Sequence, residues 1–254
     1  MDLPTNAFKH AIRAGRQQIG LWVALANHYS VEICAGSGFD WLLFDGEHGP
    51  NDPPAMLPQL QAAAAYPVSS IVRPAWNDKV LLKRYLDVGF QSFLVPYVQT
   101  AAEAEAAVTA IRYPTRGVRG VAGSTRASRY GRIADYAKRA ESELCMLVQI
   151  ESRDGLDNLD AIARTDGIDG VFIGPADLAA GLGHLGDIGH AEVQSAIKDA
   201  IARIKAAGKP AGILATDDAS TKRYMDWGTT FTAVGVDVMI LARETEKLAK
   251  LYKK

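Results

Sequence analysis

Eight short apolar runs punctuate the chain, and longer segments of helical spacing separate them. The runs are IGLWVAL (19–25), FDWLLFD (39–45), SSIVR (69–73), SFLVPYV (92–98), CMLVQIE (145–151), GVFIGP (170–175), AGILA (211–215) and FTAVGVD (231–237). Runs apolar on both faces are what parallel strands need when helices cover the sheet. The segments between them read as helices with ordinary stops. VLLKRYLDV halts at Gly89, AAEAEAAVTAIR at Pro114, and VQSAIKDAIARIKAA at Gly208 with Pro210 close behind. Eight strand–helix units in 254 residues predict a closed (β/α)8 barrel, a TIM barrel filling the whole chain, 1–254, as one domain. An open, doubly wound sheet is the alternative, and the strand count favours the barrel.

Composition narrows the partners. Hydrophobic residues make up 48% and charged residues 22%, with a net charge of -1. Such a chain can bury a large core, and its near-neutral balance gives no reason to expect nucleic acid or an anionic membrane as partner. No apolar stretch approaches the roughly 20 residues that span a bilayer, and the first 20 residues lack the apolar core of a signal peptide. Cys34 and Cys145 sit in apolar runs, read as small hydrophobes, and suit the reducing cytoplasm.

In this fold the active site lies where the strands end. Four strand ends carry chemistry: Asp45-Gly46-Glu47-His48 after the second, Arg73 on the third, Gln149-Ile150-Glu151 on the fifth, and Gly174-Pro175-Ala176-Asp177 after the sixth. Glu151 and Asp177 follow neighbouring strands. Two carboxylates projecting together repel unless a cation or proton intervenes, and an oxygen-rich pair suits Mg2+ or Mn2+. Asp177 could instead cap the helix that follows it. His48 alone among five histidines stands just past a strand among carboxylates, which suits a general acid–base, with Asp45 as the local candidate to orient its ring. Arg73 closes an apolar strand and needs an anion, either a structural carboxylate or an oxyanion formed in a reaction. The start of the helix after Gly174 offers backbone N–H groups to an anion. No proposed strand ends in lysine, which argues against imine chemistry. One segment breaks the regular pattern. TRGVRGVAGSTRASRYGRIADYAKRAE, between Pro114 and Ser142, is longer than a barrel connection needs. It is either a surface insertion or subunit contact, or a loop over the mouth.

The motifs GLWVALANHYSVEICAGSGFDWLLFDGEHGPND, IVRPAWND, LDVGFQSFLVPYV, YPTRGVRGV, LVQIES and GVFIGPADLAAGLG together resemble the HpcH/HpaI aldolases. These class II pyruvate aldolases include 4-hydroxy-2-oxoheptanedioate aldolase and 2-dehydro-3-deoxyglucarate aldolase. The resemblance covers nearly the whole chain and implies a barrel of the phosphoenolpyruvate/pyruvate type. It implies a divalent metal on Glu151 and Asp177, Mg2+ or Mn2+ with Co2+ as a substitute. It implies His48 as acid–base, Arg73 on the enolate oxygen, and Asp87 reaching the histidine from a neighbouring subunit. Gln149, Gly174, Ala176 and Asp177 would bind the keto-acid carboxylate, and Trp22 and Leu214 would line the pocket. It further implies a homohexamer of three dimers that exchange their last helix, acting on a small keto acid, pyruvate or hydroxypyruvate, and an aldehyde. Relatives often carry serine at Ala176 and a smaller residue at Trp76, so the aldehyde is left open. A lyase on CoA thioesters, with Arg112, Arg116 and Arg119 holding the CoA tail, and a non-catalytic keto-acid binder are the rival readings.

Overall fold

The computed structural model describes residues 1–253. Eight parallel strands close into a barrel in sequence order. They are β1 (Gln18–Val23), β2 (Trp41–Asp45), β3 (Ser69–Arg73), β4 (Ser92–Val95), β5 (Cys145–Ile150), β6 (Gly170–Ile173), β7 (Ala211–Leu214) and β8 (Phe231–Val236). Helix α1 (Ala7–Arg13) precedes the barrel. Around it lie α2 (His28–Ala35), α3 (Pro53–Ala63), α4 (Lys79–Val88), α5 (Ala101–Ile111), α6 (Tyr136–Arg139), α7 (Arg153–Asp157) and α8 (Leu159–Arg164). The circuit ends with α9 (Pro175–Gly181), α10 (Ala191–Ala206), α11 (Asp218–Trp227) and α12 (Asp237–Tyr252). All eight expected runs are strands, so the barrel reading holds and the open sheet is excluded.

Period-two alternation sorts the strand side chains into two cores. Outward positions such as Leu42, Phe44, Val72, Val148 and Ile173 join the helices in one cluster. Inward positions, among them Trp22, Trp41, Leu43, Ile71, Leu147, Phe172 and Phe231, fill the barrel. Phe8 and Ile12 of α1 belong to that inner cluster, so α1 plugs the N-terminal end. Filling by large rings requires gaps elsewhere: a Cβ on Gly20 would collide with the Trp41 ring, and one on Gly212 with Phe231.

The long segment between α5 and β5 connects a helix to the next strand, so it lies at the N-terminal end, away from the mouth. Arg126 donates from Nη1 to the Val88 carbonyl at the base of α4 (2.7 Å), and the amino terminus reaches the Arg132 carbonyl (3.3 Å). The mouth-loop alternative is therefore excluded. Its arginines are already engaged there. Arg112 pairs with Glu141 (2.9 Å) and Asp166 (3.0 Å), Arg116 with Glu141 (2.9 Å), and Arg119 is buried. None is placed to hold a CoA tail at the opposite end.

Candidate active site

The inward alternation delivers the site. On β2 the positions 41, 43 and 45 face the axis, on β3 71 and 73, on β5 145, 147 and 149, on β6 170 and 172, and on β7 212 and 214. Continuing each series one step beyond its last apolar layer gives Asp45, Arg73, Gln149 and Glu151, Gly174, and Leu214. Asp45, Arg73, Gln149 and Glu151 are buried. Trp22 lies beneath them, packed on Phe172, with the Arg73 guanidinium 5.2 Å above its ring centre. Leu214 is half-buried against the same inner core.

Arg73 is the electrostatic centre. Its Nε and Nη2 donate to the two oxygens of Asp45 (2.9 and 2.7 Å), and Nη1 lies 2.7 Å from Glu47 Oε2. Asp45 also accepts the backbone N–H groups of Glu47 (3.0 Å) and His48 (3.3 Å). Burial is the largest single influence on Asp45 and pushes its carboxyl upward, but Arg73 and these amides together hold it below its ordinary range. The turn is fixed from outside: Asn51 Nδ2 donates to the Asp45 carbonyl (2.9 Å) and is held in turn by Gln59 of α3 (2.7 Å).

Asp45 is thus spoken for by Arg73 and the turn, and no hydrogen bond joins it to the His48 ring. As the ring stands, the contacts of Asp45 are to Arg73 and the turn amides and not to the imidazole it was expected to orient. The His48 side chain is 70% exposed, and among the described residues the acid within salt-bridge range is Glu47, with Oε2 3.9 Å from Nε2. Asp87 is nowhere near this mouth. It sits in the last turn of α4 at the barrel's other end, partly exposed, 3.9 Å from Arg119. Burial raises its carboxyl despite Arg119 and Lys83 nearby.

Glu151 stands apart from Asp45 in having no cation. Tyr97 donates its backbone N–H to Oε1 (2.8 Å), and Gln149 Nε2 donates to Oε2. Tyr97 adopts φ +54° to aim that N–H, a left-handed conformation that costs a non-glycine residue about 1–2 kcal/mol. Burial raises the Glu151 carboxyl to about 7; the bond from Gln149 lowers it, the charge of Glu47 adds to the rise, the Tyr97 N–H lowers it, and Asp177 raises it. Glu47 is raised too, first by burial, with Arg73 and His48 opposing and Asp45 and Asp177 adding. The strand-end motif contains Glu47 without giving it a role, yet it continues the inward series 43, 45, 47, and that periodicity is the signal for it. Gly174 is required where it stands, because a Cβ would strike Glu151 and Gln149. It is the N-cap of α9 and receives no side-chain cap. Asp177 does not cap that helix. It lies exposed in the first turn beside Ala176, free to face the mouth. Trp76 and Tyr97 stack at the rim, ring centres 6.0 Å apart.

The donor set fits a divalent cation. Glu151 is buried on neutral donors alone, and the charges of Glu47 and Asp177 both act on it, which suits a hard ion completed by water and substrate oxygens.

The family model for HpcH/HpaI aldolase/citrate lyase matches residues 18–243. The chain belongs to this family. As an HpcH/HpaI protein it is 59% identical over 252 residues to the pyruvate aldolase of Rhizobium etli, covering 99% of both chains. It is 54% identical to the hydroxypyruvate/pyruvate aldolase of Pseudomonas aeruginosa, over 100% of this chain and 95% of that one. A solved HpcH/HpaI family protein from Burkholderia cenocepacia superposes with a TM-score of 0.95 at 38% identity, over 98% of this chain and 100% of that one. The chain is an aldolase, a lyase of carbon–carbon bonds.

Proposed function

We propose that this aldolase joins the C3 carbon of pyruvate or hydroxypyruvate to an aldehyde, reversibly, with Glu151 and Asp177 holding Mg2+ or Mn2+. The observation that carries this reading is Glu151. Its carboxylate is buried and held only by neutral donors, the Tyr97 N–H and Gln149 Nε2, while the charges of Glu47 and Asp177 push its carboxyl up, an unfavourable arrangement for a protein alone and a favourable one for a protein that binds a cation there.

When bound, the ion supplies Lewis acidity that makes the protons next to the keto group more acidic. The chain's own residues do the rest. Gln149 and the backbone of 174–177, around Ala176, bind and orient the keto-acid carboxylate. Arg73, preset by Asp45 and Glu47, presents donors to the oxygen that becomes the enolate. His48, exposed at the rim where an aldehyde arrives, protonates the new alkoxide at the end of synthesis and takes the hydroxyl proton at the start of cleavage. Trp22 and Leu214 exclude water from below.

We further propose that Asp87 orients His48 of a neighbouring subunit in a hexamer of three dimers that exchange α12. Two observations support this. Among the described residues of its own chain, His48 has no acid in reach beyond Glu47. Along α12 only Asp237 is buried, while Val238, Ile240, Leu241, Leu248 and Leu251 are exposed, more apolar surface than a lone helix keeps in water.

The test is a screen of aldehydes with pyruvate and with hydroxypyruvate, with and without Mn2+. Carbon–carbon bond formation that is lost in excess chelator and restored by Mn2+ or Mg2+ is expected. Full turnover in chelator would exclude the metal. Absence of aldol products with either keto acid and every aldehyde would overturn the substrate assignment.

A further inference from the structure

A second group of ligating side chains lies outside the mouth. After α9 the chain turns back through residues 182–190, with Gly183 at φ +91° and Gly186 at φ +79°. Three backbone bonds hold the return: His184 N–H to the Ala179 carbonyl (2.8 Å), Asp187 N–H to the His184 carbonyl (2.9 Å), and His190 N–H to the Asp187 carbonyl (3.2 Å). They bring His184 and His190 face to face, ring centres 3.5 Å apart and planes 17° from parallel. Glu192, in the first turn of α10, places Oε2 2.8 Å from His184 Nε2. One ligand atom from each of the three residues lies within 4.8 Å of the others.

We infer that His184, His190 and Glu192 form a second metal site, selective for a borderline transition ion of the Zn2+ class and separate from the mouth. Two imidazoles and one carboxylate suit Zn2+ far better than Mg2+, whereas the oxygen-only mouth has the opposite preference. Bonds of about 2.0–2.1 Å in a tetrahedral shell place ligand atoms roughly 3.3 Å apart. Closing from 4.8 Å to that spacing asks for side-chain rotations of about 1.5 Å. The two histidines are half-buried and Glu192 is exposed, so each has an open side toward which to turn.

The costs are small and identifiable. An ion shared by both rings must lie in the plane of each, so the stack opens as it binds. The Glu192 N–H bond to His190 Nδ1 is given up whichever ring nitrogen binds, and at 3.3 Å on an exposed helix end it is a weak one. Arg153 is the nearest cation to Glu192, at 3.9 Å, and it is more than half exposed. Three protein ligands leave the fourth position to water. The ion would fasten residues 182–190 to α10, behind the short helix whose first turn carries Asp177.

The test uses untagged full-length protein saturated with Mg2+ and titrated with Zn2+, read by calorimetry and by the melting temperature. One Zn2+ per chain and a higher melting temperature are expected. In H184A and H190A the affinity should fall at least tenfold and the melting shift should vanish, with Mg2+-driven turnover unchanged. The mouth variant E151Q/D177N should still bind Zn2+ with the wild-type affinity, so failure of this site and failure of the mouth are read separately. In that variant Co2+ should give the absorption of a nitrogen-ligated ion, lost on adding H184A. Equal Zn2+ affinity in wild type and H184A/H190A, or a Co2+ spectrum of oxygen ligands only, overturns the site.

Discussion

The two ends of the barrel bury charge in opposite ways. At the N-terminal end, Lys9 donates to the carbonyls of Ser142 (2.9 Å) and Leu144 (2.5 Å). Asp169 accepts from Arg13 (2.8 Å) and from the Met146 N–H (3.0 Å), and Asn6 donates to Ser92 (2.9 Å) and the Glu143 carbonyl (2.9 Å). Each polar group closes a seam between segments far apart in sequence. At the C-terminal mouth, Asp45 and Glu47 share one guanidinium, Arg73, while Glu151 is held by neutral donors under the charges of Glu47 and Asp177. Clefts of about 440 and 870 Å3, meanwhile, lie at the closed end, the first lined by Asn6, Tyr66, Ser92, Arg126 and Tyr136, the second by Lys9, Arg13, Glu143 and Asp169. Chemistry is located by unbalanced charge and not by the size of a cavity.

The largest effect expected from this contrast follows loss of the one mouth cation. Arg73→Ala leaves buried Asp45 without its partner, which should cost about 3–5 kcal/mol in urea unfolding. Turnover should fall on the order of 10²-fold or more. Wild-type stability in that variant would mean the mouth carboxylates do not depend on Arg73. Glu151→Gln should do the reverse to stability. A carboxyl raised from 4.5 to about 7 by folding holds its proton more tightly folded than unfolded. Its contribution is therefore intact below pH 4.5, is lost as pH rises through 7, and is wholly lost above. The metal-free variant at pH 8 should be more stable than metal-free wild type by about 3 kcal/mol, while aldol activity disappears. The amide is accommodated because Gln149 Oε1, which has no partner, can turn to accept from it. Mn2+ should raise the melting temperature of wild type and leave the variant's nearly unchanged. An unchanged or lower metal-free stability at pH 8 would show that Glu151 is not strained by its surroundings.

How far the sequence reveals this contrast depends on which residues are asked. The strands are legible because burial on both faces makes each a continuous apolar run. Their ends are blurred where special residues intervene: the fourth run stops at Val95, since Pro96 cannot donate to the ladder and Tyr97 turns left-handed. Arg73, Gln149 and Glu151 are legible as strand-end polar residues. Glu47 stands in the strand-end motif, but its role is not legible there because it lies in a turn, where alternation is not usually followed. The location of the long segment was legible from order alone, since a helix-to-strand connection in a barrel lies at the closed end. Two things are not legible in one chain's residue pattern. Asp87 resembles any helix acid until it is found far from its own mouth, and His184 meets His190 only because two glycines reverse the intervening loop.

His48 sharpens the contrast from another side, since it is at the mouth but unburied. His48→Ala should lower kcat on the order of 10²-fold while changing stability by less than about 0.5 kcal/mol. Asp87→Asn should lower kcat as well. Dissociated subunits of the two inactive variants, mixed and reassembled, should recover part of the lost activity, because some sites then pair an intact His48 with an intact Asp87. A mixture no more active than its components would place the histidine's partner in its own chain and leave Glu47 as that partner.

The smallest effect is the one expected at the closed end, and it is the control for all the others. Lys9 is as deeply buried as the mouth residues, at 4% exposure. Lys9→Met keeps most of the side chain's volume and removes the ammonium, so two carbonyls at the junction of residues 142–144 lose a charged donor. Each bond to a charged group is worth about 1.5–3 kcal/mol. Water can reach the Ser142 carbonyl, which lies near the surface, so the net loss should be about 2 kcal/mol in urea unfolding, and kcat and KM should stay at wild-type values. α1 reaches the mouth only through the inner core of Phe8, Trp41 and Trp22, rings that pack by shape and carry no charge. A tenfold fall in kcat in folded Lys9→Met protein would mean that the plug sets the geometry of Arg73 through that stack, and the two ends could no longer be treated as independent.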